Sequence, residues 1–426
     1  MSKNDKKTDR RDFLQSGLIG TAAAGLTFAS TTHVSAQTPA EALEPEVTND
    51  VDVLVVGGGT AGHVAAIQAA RAGAKTLLVE RGAQLGGTTT TGGVSFPGLF
   101  DAWGKQVIAG IGWELVKESV ELDGGELPNF AKVPPRHWHN QVYTNQFLYA
   151  LLAEEKCADA GVEIAYYEFP QTVAKAGKGW TVDCVGFGTR RRVNCKQIID
   201  CTGGAEVVGM LGFSRLREEE RQPGSYLFLL DREHMPGVNK FQRLHKTYVH
   251  GADSTNSRTV TVANLTGRKA ILGKLRKEKK RITHLQPETG FRESYRIEGE
   301  TLVTVNDYRS GRVFDDAISY AFYPVDLHTK TGVKPQPLKR GIVPTIPLSA
   351  LIPKGSKNII VAGRCVSSDR LANSGLRVQA SCMGMGQAAG VAAALAAKAG
   401  TTPLDVPLAE IHTMLREHGQ IVPEKG

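Results

Sequence analysis

Four stretches of the chain gather side chains able to move a proton or hold an anion: Arg136-His137-Trp138-His139, Arg292-Glu293-Ser294-Tyr295-Arg296, Tyr323-Pro324-Val325-Asp326-Leu327-His328 and Arg340. A histidine near its ordinary pKa can take a proton from a hydroxyl, so His328 and His139 are the candidate bases. Arg296 and Arg340 suit the holding or polarising of an oxygen-bearing group, and Tyr323 is a further proton carrier. No metal is expected, because His137 and His139 stand two apart without a recognisable third ligand.

Such groups act only against a rigid frame, and the regular part of the chain begins at Val51. Val51-Asp52-Val53-Leu54-Val55-Val56 predicts a buried strand by its β-branched run, and Gly57-Gly58-Gly59-Thr60-Ala61-Gly62 follows at once. Alanines from Ala61 to Ala72 predict a helix, Gly73 ends it, and Lys75 to Val79 predicts a second strand closing on Glu80, 23 residues after Gly57. Strand, glycine turn, helix, strand and acid in that order frame a dinucleotide site. Gly57 permits the tight turn, Gly59 lets backbone N–H groups approach a pyrophosphate, and Gly62 allows close helix-to-strand packing. The helix N-terminus favours the phosphate charge, and Glu80 is placed to accept hydrogen bonds from ribose hydroxyls.

Further stations continue the pattern: Arg81-Gly82-Ala83-Gln84-Leu85-Gly86-Gly87-Thr88-Thr89; the strand Lys196 to Asp200 running into Cys201-Thr202-Gly203-Gly204; Asn358 to Ser367, turning at Gly363; and Asn373 to Lys398, with Gly375 and an Ala-rich helix. Together with the first glycine turn, these stations resemble the bacterial FAD-dependent oxidoreductase family related to fumarate reductase and heterodisulfide reductase flavoproteins. The resemblance implies an α/β fold, a Rossmann-like FAD-binding domain of discontinuous segments with an inserted mixed α+β substrate domain. It implies FAD contacts at Gly86, Gly87, Thr88, Gly203, Gly363 and Gly375, and a last helix whose N-terminus faces the flavin. The segments around Tyr323 to His328 and Arg340 resemble ones that recur beside the flavin. Arg364 stands where many relatives place Asp or Glu for the ribityl chain. The Leu85 to Gly93 stretch has no histidine, so FAD is expected to be non-covalent. The six cysteines include no CxxC and no ferredoxin-like run, so the [4Fe-4S] cluster of heterodisulfide-reductase-type relatives is not expected. Cys184 and Cys195 lie on opposite arms of a hairpin and face each other only if its turn centres on Thr189-Arg190; otherwise they are buried thiols.

Residues 1–36 read as a targeting segment. Thr8-Asp9-Arg10-Arg11-Asp12-Phe13-Leu14 resembles a twin-arginine export signal, Ser16 to Ser30 is a short apolar stretch, and Val34-Ser35-Ala36 offers a cleavage site. The expected divisions are a linker at 37–50, a FAD domain at 51–205 and 356–400, a substrate domain at 206–355 and a docking tail at 401–426. No later run of about eighteen apolar residues is apparent, so a soluble protein outside the cytoplasmic membrane, in the periplasm or beyond, is expected. The formal charge is +8, and the first 36 residues hold five basic and three acidic side chains, so their removal leaves +6. That is too mild and too dispersed for a nucleic-acid binder, and the one dense run, Arg268 to Arg281, reads as a solvated helix face. The expected activity is hydride transfer between flavin and a small alcohol or sugar-like substrate, with a quinone, a cytochrome or oxygen taking the electrons. The alternatives are a redox-neutral flavin lyase or isomerase and a non-catalytic FAD-binding protein.

Overall fold

The computed structural model describes residues 45–135, 137–230, 244–279, 281–329 and 332–424; Arg10, Arg11 and the apolar stretch behind them lie outside the described residues. β1 (Val47–Val56) begins four residues earlier than expected. The end of the 37–50 stretch is therefore strand, because Val47 to Val51 pair with Arg191 to Cys195, a partner 144 positions away that no local pattern announces. α1 (Gly62–Arg71) and β2 (Thr76–Glu80) follow as the glycine spacing predicts. β3 (Glu163–Tyr166), β4 (Phe169–Ala176), β5 (Gly179–Val185) and β6 (Arg190–Asp200) complete one sheet in the order β3-β2-β1-β6-β5-β4, with the strand Ile359–Val361 also on β6. Its β3, β2, β1 and β6 run parallel, as does Ile359–Val361, whereas β4 and β5 run antiparallel to their neighbours.

Register decides where chemistry can happen. Val56 lies opposite both Val79 and Asp200, and Val361 lies opposite Asp200. Gly57, Glu80, Cys201 and Ala362 therefore leave the sheet along one edge, at the carboxyl ends of parallel strands where ligands of such sheets bind. Val53, Leu54 and Val55 are wholly buried in β1, each contributing roughly 1.5–3 kcal/mol over exposure. The β5–β6 hairpin turns through Gly186 to Thr189, pairing Cys184 with Arg191 and Cys195 with Trp180. The two cysteines are thus not cross-strand partners, and both are free, buried thiols.

Between the sheet's pieces, β7 (Gly224–Leu230), β8 (Leu244–Val249) and β9 (Ile282–Leu285) form a three-stranded antiparallel sheet in the order β8-β7-β9. α2 (Ser257–Glu278) covers it through Ala263 and Ile271 against Tyr226 and Phe228; of the basic run, Lys269, Arg276 and Lys277 are exposed, whereas Arg268 turns to the sheet and donates to Tyr226 Oη at 2.7 Å. α3 (Gln379–Ala399) corrects the expectation of no long apolar run: it is long and apolar enough to cross a membrane, yet nearly all of it is buried inside the fold as a core helix. Its glycines let it lie against α1, since a Cβ on Gly386 would stand 3.0 Å from the Ala61 Cα and one on Gly390 2.8 Å from the Gln68 Cβ. α4 (Leu408–Glu417) docks on α3 by Ile411 and Leu415.

Candidate functional site

The edge where the parallel strands end opens into a cavity of about 420 Å³ lined by Gly57, Gly59, Glu80, Gly87, Thr88, Gly203 and Gly363, with Arg292, Arg364, Arg377 and Gln379 also on its wall. Gly57 takes φ +95°, a conformation that only glycine adopts without strain, and this turns the chain sharply out of β1. A Cβ on Gly59 would meet nothing within 4 Å, so the turn leaves open room beside its backbone. A Cβ on Gly62 would instead come within 2.9 Å of the Gly57 carbonyl carbon and 3.1 Å of the Cys201 Cβ, which is the close helix-to-strand packing its position demands. The second glycine motif closes on the first: Gly86 N–H donates to the Gly58 carbonyl at 2.9 Å, and Thr60 Oγ1 donates to the Gly86 carbonyl at 3.2 Å. Glu80 accepts the Gly58 and Gly82 N–H groups, each at 2.6 Å, with its carboxylate on the cavity wall.

Buried polar groups that the glycine motifs do not announce fix this frame. Asp200 ends β6 and accepts Thr202 Oγ1 at 2.7 Å and the Thr202 and Val208 N–H groups at 3.1 Å each, which shapes the turn to Gly203. His63, under the first turn, is 2.8 Å from the Gly59 carbonyl through Nδ1 and 3.1 Å from Tyr149 Oη through Nε2. Burial pushes its pKa to about 4, so it is neutral and pins the turn by hydrogen bonds alone. Arg364, the departure from the family pattern, spans the cavity wall by donating to the Gly203 carbonyl at 2.7 Å and the Phe291 carbonyl at 2.9 Å. Also on the cavity wall, Glu206 and Glu288 have their pKa values raised by burial against the pull of Arg81 and Arg364.

The remaining glycine candidates act outside the cavity wall. Gly86 shapes the contact just described. Gly375 does not line the cavity: a Cβ there would meet the Tyr308 ring at 2.9 Å or closer, so its absence makes room for Tyr308. Tyr308 Oη then donates to the Tyr323 carbonyl at 2.8 Å and accepts the Tyr323 N–H at 3.2 Å, while the neighbouring Ser374 Oγ accepts the Asp326 N–H at 3.0 Å. The short helix Arg370–Leu376 thus positions the Tyr323 to His328 segment.

That segment delivers a coupled chain of polar groups. His328 Nε2 is 3.0 Å from Asp326 Oδ2, and Nδ1 is 3.3 Å from Tyr248 Oη. Burial pushes the His328 pKa down, opposed by Asp326 and reinforced by Arg292 and Arg377, so the imidazole is neutral near pH 7. Burial alone would raise Asp326, but the hydrogen bond from His328 and the cations Arg377 and Arg292 hold it below its ordinary value. An ionised carboxylate only accepts, so Nε2 carries the proton and Nδ1 presents a lone pair, with the Tyr248 hydroxyl donating to it. His328 itself stands behind the cavity wall: Gln222 Oε1 accepts its N–H at 2.9 Å, and Arg377, on the wall, reaches Gln222 Oε1 and the Asp326 carbonyl at 3.4 Å each. Tyr323 accepts from Gln141 Nε2 at 3.0 Å, and burial pushes its hydroxyl pKa up to about 12.

The other candidates are placed elsewhere. Arg296 is buried but committed to the Ser368 carbonyl at 2.9 Å and Glu218 at 2.7 Å, and it does not line the cavity. Arg340 is exposed and off the wall, and His139 is exposed in the short turn His137–Asn140. The residues that sequence reasoning did not single out are Tyr248, Asp326, Arg292 and Arg377. Arg292 and Asp326 stood within the quoted clusters, and Arg377 within the last glycine-rich segment. Tyr248 carries no sequence signal, because β8 places it.

A parallel sheet that ends on two glycine turns and an acid, over a long cavity, defines a dinucleotide-binding fold. The chain belongs to the FAD-dependent oxidoreductase family: the family model described as FAD dependent oxidoreductase matches residues 52–261 and 215–415. Over 169 residues the chain is 32% identical to thiamine thiazole synthase of Methanococcus vannielii, covering 38% of this chain and 60% of that protein. Over 41 residues it is 58% identical to mitochondrial dihydrolipoyl dehydrogenase of Caenorhabditis elegans, covering 10% of this chain and 8% of that protein. Anhydrotetracycline hydroxylase from Streptomyces rimosus is similar in structure, with TM-score 0.46, 14% identity and coverage of 87% of this chain and 66% of that chain. A flavoprotein/dehydrogenase from Cytophaga hutchinsonii gives TM-score 0.43 and 15% identity over 86% of this chain and 83% of that one. The chain thus spans 8% and 60% of the two curated relatives and 66% of the hydroxylase. The residues present fit FAD: the open space beside Gly59 suits a pyrophosphate, Glu80 suits a ribose, and Gly87, Thr88, Gly203 and Gly363 line the rest of the path.

Proposed function

We propose that this chain is an exported FAD-dependent oxidoreductase that oxidises a CH–OH group of a small alcohol or sugar-like compound. FAD, when bound, supplies the two-electron acceptor for the hydride. The protein's own part is the proton. Neutral His328 accepts the hydroxyl proton on Nδ1 by way of the Tyr248 hydroxyl or a water in its place, and Asp326 holds the ring and stabilises the imidazolium that results. The observation that carries this reading is the Asp326–His328–Tyr248 chain at 3.0 and 3.3 Å, tied through Gln222 to Arg377 on the cavity wall.

Residues 206–355 supply Tyr248, Arg292 and His328 and are read as the substrate-facing part of the protein. With one dinucleotide unit in the sequence, the electrons leave to a quinone, a cytochrome or oxygen. Export by the twin-arginine machinery rests on Arg10-Arg11 and the short apolar stretch behind them. Lysine at both positions should strand flavin-loaded precursor in the cytoplasm; unchanged export of that variant argues against such a signal. The activity is tested by adding alcohols, sugars and hydroxy acids to the purified protein without oxygen. Lasting bleaching of the flavin by one of them supports the reading. Turnover without net bleaching would replace it with a redox-neutral reaction.

A further inference from the structure

The arginines around the His328 end of the cavity divide into two groups. Arg217 and Arg221 share Asp253 at 3.0 and 3.2 Å, Arg296 pairs with Glu218 at 2.7 Å, and Arg370 pairs with Glu293 at 2.8 Å. Arg292 and Arg377, on the cavity wall, make no ion pair among the described residues, and neither does Arg364, whose donors go to the Gly203 and Phe291 carbonyls. Arg292 spends its donors on neutral oxygens, the Pro223 carbonyl at 2.6 Å and Ser225 Oγ at 3.0 Å. Arg377 has only two long contacts, both at 3.4 Å and both to neutral oxygens, and its buried Nε has no partner among the described residues. The nearby carboxylate, Asp326, gives Oδ2 to His328. A pair of guanidiniums with one already engaged acid between them leaves about one positive charge uncompensated beside a cavity, and cations so placed are normally paired.

We infer that Arg292 and Arg377 form an anion clamp for the carboxylate of the substrate, which makes the substrate a small hydroxycarboxylate whose hydroxyl faces His328. The inference rests on the proposed CH–OH oxidation and adds the charged group that orients the molecule. Arginine suits the task because its planar fork meets both oxygens of a carboxylate at once. The lowering of the Arg292 pKa to about 10, caused by burial and then by Arg377, fits two cations facing a common space. Gln222 links the two segments, since its Oε1 accepts both the His328 backbone N–H and Arg377 Nη2–H.

The test titrates oxalate into the FAD-loaded protein and reads the flavin absorbance difference spectrum. A saturable spectral shift is expected. Arg292→Met and Arg377→Met should each weaken oxalate by about tenfold or more, the usual worth of a charged hydrogen bond, while keeping one FAD per chain. Arg292→Lys and Arg377→Lys keep the charge, guard against a folding defect, and should weaken oxalate less than the methionine variants do. No oxalate binding by the parent protein, or unchanged affinity in both methionine variants, overturns the inference. So does loss of FAD from lysine and methionine variants alike, which would give the arginines to the cofactor. Oxalate binding without bleaching by any hydroxycarboxylate contradicts the oxidation and leaves the clamp standing. Bleaching by an uncharged alcohol without oxalate binding does the reverse.

Discussion

The two ends of the cavity are built from opposite materials. At the Glu80 end, one unbroken stretch from β1 to β2 supplies glycines, backbone N–H groups and one carboxylate, and its precision comes from how closely the chain can approach itself. At the His328 end, side chains from β8, the loop before β7, the segment at Arg292, the Tyr323 to His328 segment and the turn before α3 converge, and nothing but tertiary packing brings them together. A cradle for a large constant ligand is local and tolerant of surroundings, whereas the site proposed for proton transfer is non-local and depends on buried partners such as Tyr308 and Ser374.

The largest expected effect breaks the first end alone. Gly59→Val has room for its side chain within the protein, so it should purify folded but without FAD, whereas Gly62→Val collides with Gly57 and should fail to fold. Flavin content together with circular dichroism reads both; a yellow Gly59→Val protein contradicts the cradle. At the other end, Asp326→Asn should slow substrate-driven flavin reduction by roughly ten- to a hundredfold, because it loses the negative charge that stabilises the His328 imidazolium. It also sharpens the pH dependence. In the proposed reaction the neutral imidazole is the active form, so the parent rate should fall as the pH drops through the His328 pKa, which burial lowers from its ordinary value. Removing Asp326 removes a group that favours the imidazolium, so the acid limb of the Asn variant moves to lower pH; a shift to higher pH would be against the account. Tyr248→Phe removes one hydrogen bond to Nδ1 and should cost about two- to tenfold in the same assay. Arg340→Ala, at an exposed position off the cavity wall, should change the rate by less than about twofold, within the range of ordinary surface substitutions.

How much could be read beforehand follows the same division. The Gly57 to Glu80 unit was legible because its physics is local: a β-branched strand, a turn that needs glycine and a helix of alanines follow one another in the chain. The start of β1 at Val47 was not, since its pairing with Arg191 lies far along the sequence. Arg296 matched the chemistry of an anion clamp by residue type, yet Glu218 and the Ser368 carbonyl claim it, while Arg292, four positions earlier, faces the cavity. Spacing within a cluster cannot tell these two apart, because the acids that decide between them come from other segments. The close approach of Tyr308 to Gly375 is likewise invisible in the sequence, since the two positions lie far apart along it.

The central claim is that the proton leaves at the His328 end while the flavin is held by the other. The direct measurement is the rate of substrate-driven flavin reduction, without oxygen, in FAD-loaded His328→Ala and His139→Ala. The account predicts full flavin content in both, a loss of roughly two to four orders of magnitude in rate for His328→Ala, and a near-normal rate for His139→Ala, whose side chain is exposed off the cavity wall. Near-normal reduction in His328→Ala with a large loss in His139→Ala would contradict it.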